Sequence, residues 1–234
     1  GFTIDAYYFS KHCKQVIHCE INRELSQIVN HNYKQLQVSN ITTIANDGLG
    51  YLKSTATQFD CIYIDPSRRH DRKGKVFLLK DCVPNVPDNL DFLFSKSDLI
   101  VVKNSPILDI TATIHELKYV QSIHIIAVNN EVKELLFVLQ KGNAAPINVN
   151  TVNFTKKETQ TFNFIYSSEA TPTYSLPLAY LYEPNSAILT SGSFNAVATQ
   201  LHNIHIFTPQ IRLFLFQGER FMLKRLCPMI RKNF

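Results

Sequence analysis

The sequence predicts an α/β protein: a mostly parallel sheet that ends in an antiparallel hairpin, followed by a small α+β segment. Three observations predict it. Short apolar, β-branched runs recur along the first 120 or so residues with helical patterns between them. Further on, two long apolar runs are separated only by "NNEVK", which is too short for a parallel crossover. Beyond Gly142 the strand-helix alternation gives way to polar hairpins and a Ser/Thr/Pro-rich stretch.

Taken in order, "QVIHCE" (15–20) reads as a strand. "NRELSQIVNHNYKQL" (22–36) follows as a helix, with Leu25, Ile28, Val29 and Leu36 on one face and Asn22 as N-cap. "ITTIA" (41–45) is a strand and "GLGYLKS" (48–54) a short helix. "FDCIYI" (59–64) is a strand that runs into a polar loop from Asp65 to about Asp81. A helical "PDNLDFLFSK" (87–96), the strand "DLIVVK" (98–103) and a helical "LDITATIHELK" (108–118) come next. "SIHIIAV" (122–128) and "ELLFVLQ" (134–140) form the antiparallel hairpin, and "INVNTVNF" and "QTFNFIY" a second one around "TKKET". Residues 167–177 are the best linker. "NSAILTSGSFNAVATQL" (185–201) reads as one helix capped by Asn185, and "IHIFT" and "IRLFLF" as strands. Internal repeats and low-complexity tracts are absent from the sequence.

The 234 residues are 45% hydrophobic and 18% charged, enough for one full domain and a smaller one. A net charge of +5 suits a nucleic-acid substrate but falls far short of a polybasic arm. Five cysteines, an odd number irregularly spaced, point to a reducing, cytoplasmic setting. His12-Cys13 and His18-Cys19 lack any C-x-x-C, and strand neighbours point to opposite faces, so no metal is expected there. No run reaches the roughly 18 apolar residues of a membrane span, and no signal peptide is evident. The chain starts at Gly1 rather than Met, which leaves a mature start, a trimmed chain or a fragment open.

In an open parallel sheet, ligands bind outside the carboxyl ends of the strands. The first strand delivers Glu20, whose carboxylate suits both ribose hydroxyls of a nucleoside cofactor; the competing reading is a solvated strand-end charge. The second delivers Asn46-Asp47-Gly48, suited to an adenine amino group with Gly48 letting the backbone turn close by, or else an ordinary Asx turn. The third delivers Asp65-Pro66-Ser67-Arg68-Arg69 and the fourth Lys103-Asn104-Ser105-Pro106. At the start, "GFTID" reads as the tail of a glycine-rich turn opening a helix, which adds Gly1, Phe2 and Asp5 to the cofactor side.

This order of strand ends resembles the class I S-adenosylmethionine-dependent methyltransferases, Rossmann-like proteins whose last two strands form such a hairpin. More narrowly, "GFTIDAYYFS", "DPSRR", "VKNSPILDI" and "VNNEVKELL" resemble bacterial methyltransferase-like proteins with a C-terminal THUMP-like domain, and "YLYEPNSAILTSGSF" resembles the start of that second domain. The resemblance spans most of the chain and lies in the combined motifs. It implies a Rossmann-like methyltransferase domain over 1–142 lacking its first strand, a hairpin and linker over 143–178, and a partial THUMP-like domain over 179–234. It implies S-adenosyl-L-methionine as cofactor, bound by Gly1, Phe2, Asp5, Glu20, Asn46 and Asp47, and RNA as substrate. Such proteins carry a strand and a D-x-x-x-G-x-G turn before the first helix. Here only Gly1-Phe2-Thr3 stands, with Thr3 where a glycine is usual. The chain is therefore expected to be a piece of a longer protein, to expose strand edges and to bind cofactor poorly as it stands.

Amino-methylating relatives of this fold carry Asp/Asn-Pro-Pro-aromatic at the end of the strand that here delivers Asp65. Asp65 and Pro66 match its first half and are the implied catalytic residues, while Arg68 stands where the aromatic would be. Proline fixes the turn that aims Asp65. Arg68, Arg69 and Lys103 are the candidate substrate-binding cations, since guanidinium forks suit phosphate. The competing account has the arginines pair with Asp71 or Asp81 and order the loop. Methyl transfer depends on alignment more than on acid-base groups, and the sequence has no G-x-S-x-G, H-E-x-x-H or P-loop. Three functions stay open: an RNA methyltransferase, an inactive methyltransferase-fold RNA-binding or scaffold protein, and an NAD-dependent oxidoreductase, because Glu20 would serve that cofactor equally. The terminal hairpin and the Asp-Pro strand end argue against the last.

Overall fold

The computed structural model describes residues 4–68, 78–166, 171, 181–200, 204–208, 211–216 and 223–225. They belong to two compact units, Gly1–Gln58 and Phe59–Phe234.

The first unit runs α1 (Ile4–Ser10), β1 (Val16–Cys19), α2 (Arg23–Gln35), β2 (Ile41–Ile44), α3 (Gly48–Ser54). β1 and β2 pair in parallel from Val16↔Ile41 to Cys19↔Ile44. Asn22 caps α2 as expected, its side-chain oxygen accepting from the Leu25 N–H at 3.1 Å. Asn40 ties the α1–β1 connection to the start of β2 by donating to the carbonyls of Ser10 (2.7 Å) and Cys13 (2.9 Å). The face that α2 buries differs from the expected one. Ser26, Val29 and Tyr33 are buried, whereas Ile28 and Leu36 are 50% and 55% exposed. The core of this unit is Ala6, Val29 and Tyr33, flanked by Tyr7, Val16, Leu25, Val38 and Ile41. Tyr33 of α2 thus shares this core with Ala6 of α1, whereas the aliphatic pattern places Ile28 and Leu36 on the buried face.

The second unit opens with β3 (Ile62–Ile64), half the expected length. The Phe59 N–H is already bonded to the Lys96 carbonyl at 2.9 Å, and Asp60 and Cys61 are exposed. Then come β4 (Ser67–Arg68), β5 (Cys82–Val83), α4 (Val86–Phe94), β6 (Leu99–Asn104) and α5 (Ile110–Glu116). β7 (Val120–Val128), β8 (Glu131–Gln140), β9 (Asn148–Phe154) and β10 (Thr159–Ile165) follow. The main sheet has the order β10-β9-β7-β8-β6-β3, with β3 at one edge, and β4 and β5 form a separate two-stranded ribbon. β3 and β6 are parallel, as α4 between them requires, while β8 lies antiparallel to both β6 and β7. The expected terminal hairpin is therefore present. Its turn is only Asn129-Asn130, both left-handed (φ 50° and 65°), a type I′ geometry that asparagine tolerates. The second hairpin joins the same sheet, with β9 running parallel to β7. Ile123, Ile125, Leu135, Phe137 and Leu139 are fully buried along β7 and β8, each worth about 1.5–3 kcal/mol on burial.

After Tyr166 the expected linker, 167–177, lies outside the described residues apart from Thr171. β11 (Leu181–Pro184), α6 (Ser186–Thr190), α7 (Phe194–Gln200), β12 (Ile204–Thr208), β13 (Ile211–Phe216) and β14 (Leu223–Arg225) complete the chain, the strands forming a second, antiparallel sheet in the order β12-β13-β11-β14. The single helix expected over 185–201 is two helices, broken at Gly192 with φ 66°, a conformation that ends a helix. α6 is pinned to the main sheet. The Ser186 N–H donates to Asn130 Oδ1 (2.8 Å), the Asn130 N–H to Asn153 Oδ1 (2.9 Å), and Asn153 and Asn185 both donate to Gln160 Oε1 (3.0 and 3.3 Å). Among the described residues no helix is long and apolar enough to cross a membrane.

Candidate active site

At the carboxyl ends of β1 and β2 the backbone carries the geometry. The Ile44 carbonyl accepts from the N–H groups of both Glu20 and Asn46, each at 3.0 Å, so the two strand ends meet on one oxygen. The Glu20 carboxylate turns forward to accept from the Asn22 N–H at 3.0 Å. Partial burial pushes its carboxyl up, but that N–H and nearby positive charge, including His18, outweigh the burial and hold it below its ordinary value. Asn46 Oδ1 accepts from the Asp47 N–H (2.8 Å), and Asp47 Oδ2 caps α3 by accepting from the Gly50 N–H (2.8 Å). Asn46 thus bonds its immediate neighbour and Asp47 caps a helix, with both side chains exposed. A Cβ on Gly48 would stand 3.8 Å from the Cys19 Cβ, an ordinary contact, so space does not demand glycine there. Burial, with Asp47 beside it, raises the Cys19 thiol to about 11, which leaves it protonated and inert. Asp5 lies in the first turn of α1.

The second unit builds its strand ends from side chains. β3 and β6 are in parallel register from Ile62↔Ile100 to Ile64↔Val102, so the next rung aligns Asp65 with Lys103. Their side chains meet: Lys103 Nζ lies 2.8 Å from Asp65 Oδ2. Glu134 of β8 approaches the same ammonium at 3.8 Å, and the Tyr63 ring centroid lies 6.0 Å away. The lysine side chain is 16% exposed, against 54% for Asp65 and 43% for Glu134, so a desolvated cation underlies two accessible carboxylates. Pro66 follows at once, and Ser67 pairs with Val83, bending the chain away from the sheet.

Of the residues singled out in the sequence, the structure brings together Glu20 with Asn46 in one unit and Asp65 with Lys103 in the other. Gly1, Phe2 and Arg69 lie outside the described residues, and for Arg68 only the backbone, in β4, is described. Glu134 and Tyr63 were not anticipated, because a neighbour across a sheet is visible only once the strand order is known. Asn104 is a further surprise. It is 4% exposed at the end of β6, and neither atom of its amide has a hydrogen-bond partner among the described residues.

A strand order of β7-β8-β6-β3 with an Asp-Pro at the last strand's end invites comparison with known proteins. Residues 4–125 match the model of a family described as "Conserved hypothetical protein 95" (Cons_hypoth95). The chain belongs to that family. This Cons_hypoth95 member is also similar to a crystal structure from Porphyromonas gingivalis W83, described as a "putative methyltransferase", with 27% identity and a TM-score of 0.82. That match covers 96% of this chain and 57% of the other, so the chain spans somewhat over half the length of its structural neighbour. No curated protein matches it. The family and the neighbour together make the chain methyltransferase-like, with a Rossmann-like fold.

Proposed function

We propose that the protein is an S-adenosylmethionine-dependent methyltransferase that acts on RNA. The observation that carries this reading is Asp65-Pro66 at the end of β3, its carboxylate held by Lys103 in a sheet that carries the antiparallel β7–β8 hairpin. The likeness to a methyltransferase structure at 27% identity supports the reaction class. The first unit offers groups that fit the cofactor: Glu20, at a strand end, is suited to accept hydrogen bonds from ribose hydroxyls, and the exposed Asn46 amide to meet the adenine edge.

When bound, the cofactor supplies an activated methyl group on its sulfonium. The work left to the chain is positioning. Asp65 accepts a hydrogen bond from the acceptor group and fixes its approach, and Pro66 holds Asp65 in the turn. Arg68 and Arg69 grip RNA phosphate, and the segment from Leu181 onward, THUMP-like in its opening motif, presents the substrate. The 57% coverage of the neighbour is what a piece of a longer protein of this kind would give.

The test is made on the intact gene product. Calorimetry with S-adenosylmethionine and with NAD decides the cofactor, and transfer of labelled methyl groups onto RNA from a strain lacking the gene decides the reaction. Cofactor binding with no transfer to RNA would favour the inactive RNA-binding or scaffold reading. Binding of NAD alone would favour an oxidoreductase.

A further inference from the structure

Lys103 matched the sequence pattern of a phosphate-binding cation, but its surroundings suit another task. We infer that Lys103 is a positioning residue that acts through Asp65: it holds one carboxylate oxygen so that the other is presented to the acceptor group. The inference rests on the methyltransferase reading above and goes beyond it by assigning the lysine's role.

The argument starts from the backbone. Lys103 and Asp65 are the rung that follows Ile64↔Val102, so their side chains leave the same face of the sheet as Tyr63 and Val101. Lys103 stands opposite Leu136 of β8 in the register, and its side chain is mostly buried. Its ammonium meets Asp65 Oδ2 at 2.8 Å, a charge-assisted hydrogen bond whose cation end is mostly shielded from water. Asp65 itself is half exposed, and an ionised carboxylate has two oxygens, so with Oδ2 anchored Oδ1 is the oxygen left to accept a hydrogen bond from the acceptor group. Free rotation of an unanchored carboxylate would blur that aim.

Charge argues against phosphate here. Glu134 comes to 3.8 Å of the ammonium from the side of β8, so among the described residues the lysine faces two carboxylates. A phosphate reaching Lys103 would have to displace Asp65 and approach both acids. Glu134, beyond hydrogen-bond distance, adds field without a competing bond. The lysine therefore belongs to the acid rather than to a phosphate.

Two readouts test this in the intact gene product. The first needs no activity. In nitrogen-detected spectra of lysine side chains, the Lys103 ammonium should give a protected signal that persists in E134Q and is lost in D65A. Its absence from the wild-type protein, or its persistence in D65A, would overturn the proposal. The second is steady-state methyl transfer onto RNA. K103M should lower kcat by up to about a hundredfold, the scale of a misaligned reacting group, with KM for RNA and its salt dependence unchanged. K103R should recover most of the loss, and D65A/K103M should be no worse than D65A alone. If K103M instead raises KM and flattens the salt slope by about 0.7 per lost single-strand contact, the lysine binds phosphate and the inference fails. Should K103M not fold, K103R and the ammonium signal still decide. A protected signal in a protein that transfers no methyl group overturns the methyltransferase reading, and the proposed role with it.

Discussion

The strand ends of the two units hold their polar groups in opposite ways. In the first unit Glu20, Asn46 and Asp47 each bond to a backbone N–H one to three residues further on, so every side chain answers to its own segment. In the second, Asp65 is held by a lysine from the neighbouring strand and Glu134 arrives from a third, so the cluster exists only if the sheet is in register. Local bonds of the first kind are cheap to exchange, since a ligand that displaces the carboxylate leaves an exposed N–H that water can satisfy. The cross-strand pair is half buried and cannot be loosened without stranding a charge. One arrangement suits binding and release, and the other suits holding a group still.

The contrast predicts a graded series of effects. The largest should come from Asp65→Ala, which removes the register-held acid: turnover should fall about a hundredfold or more while calorimetric affinity for the cofactor stays the same. A loss of cofactor affinity in that variant would erase the division of labour. Glu20→Gln should do the reverse, weakening the cofactor by about tenfold or more, since a charge-assisted hydrogen bond is worth roughly 1.5–3 kcal/mol. Unaltered affinity would remove Glu20 from the site. Asn22→Ala should lower the stability of the first unit by about 1 kcal/mol in urea titrations, because it removes the cap on α2 that also adjoins Glu20.

The smallest effect is a pH dependence. Burial lowers the affinity of His18 for a proton from its usual 6.5, with the charge of Glu20 opposing, and its buried Nδ1 has no partner among the described residues. The unfolded chain then binds the proton more readily than the folded one. Stability contributed by neutral His18 is complete above about pH 6.5 and declines as pH falls below it. His18→Gln should flatten the change in urea midpoint between pH 7 and pH 5, and an unchanged slope would assign that dependence elsewhere. His124 in the second unit, its ring nitrogen 3.2 Å from Ser122 Oγ, is shifted the same way by burial and should behave alike.

How much was legible follows the same division. Caps are written in consecutive residues, so Asn22 and Asn185 cap their helices as expected, while Asp47, Asn85 and Asp109 also cap helices without having been singled out as caps. The hairpin was legible because five residues exclude a crossover, although its turn took only two of them. The buried face of α2 differs from the expected one because an aliphatic periodicity gives no weight to a tyrosine, and Tyr33 is buried with Ala6 and Val29. "FDCIYI" carries an apolar run of strand length, but the Phe59–Lys96 bond ends the helix connection inside it. At the site, the sequence named both Asp65 and Lys103 without pairing them. Their meeting depends on which strands are neighbours, and that is settled by the whole sheet.

The pinning of α6 bears on the covalent path of the chain. Tyr166 is bonded to the Ile147 carbonyl at 2.8 Å, and Asn185 and Ser186 are bonded to Gln160 and Asn130. Both ends of the stretch between them are therefore anchored on one sheet, with Ala187 and Ile188 buried beneath. Continuity of the peptide there adds little to what those contacts already enforce. A chain cut between Tyr166 and Leu181 at an engineered protease site should run as two bands on a denaturing gel and still travel as one particle through a sizing column, and the two pieces made separately should complement one another.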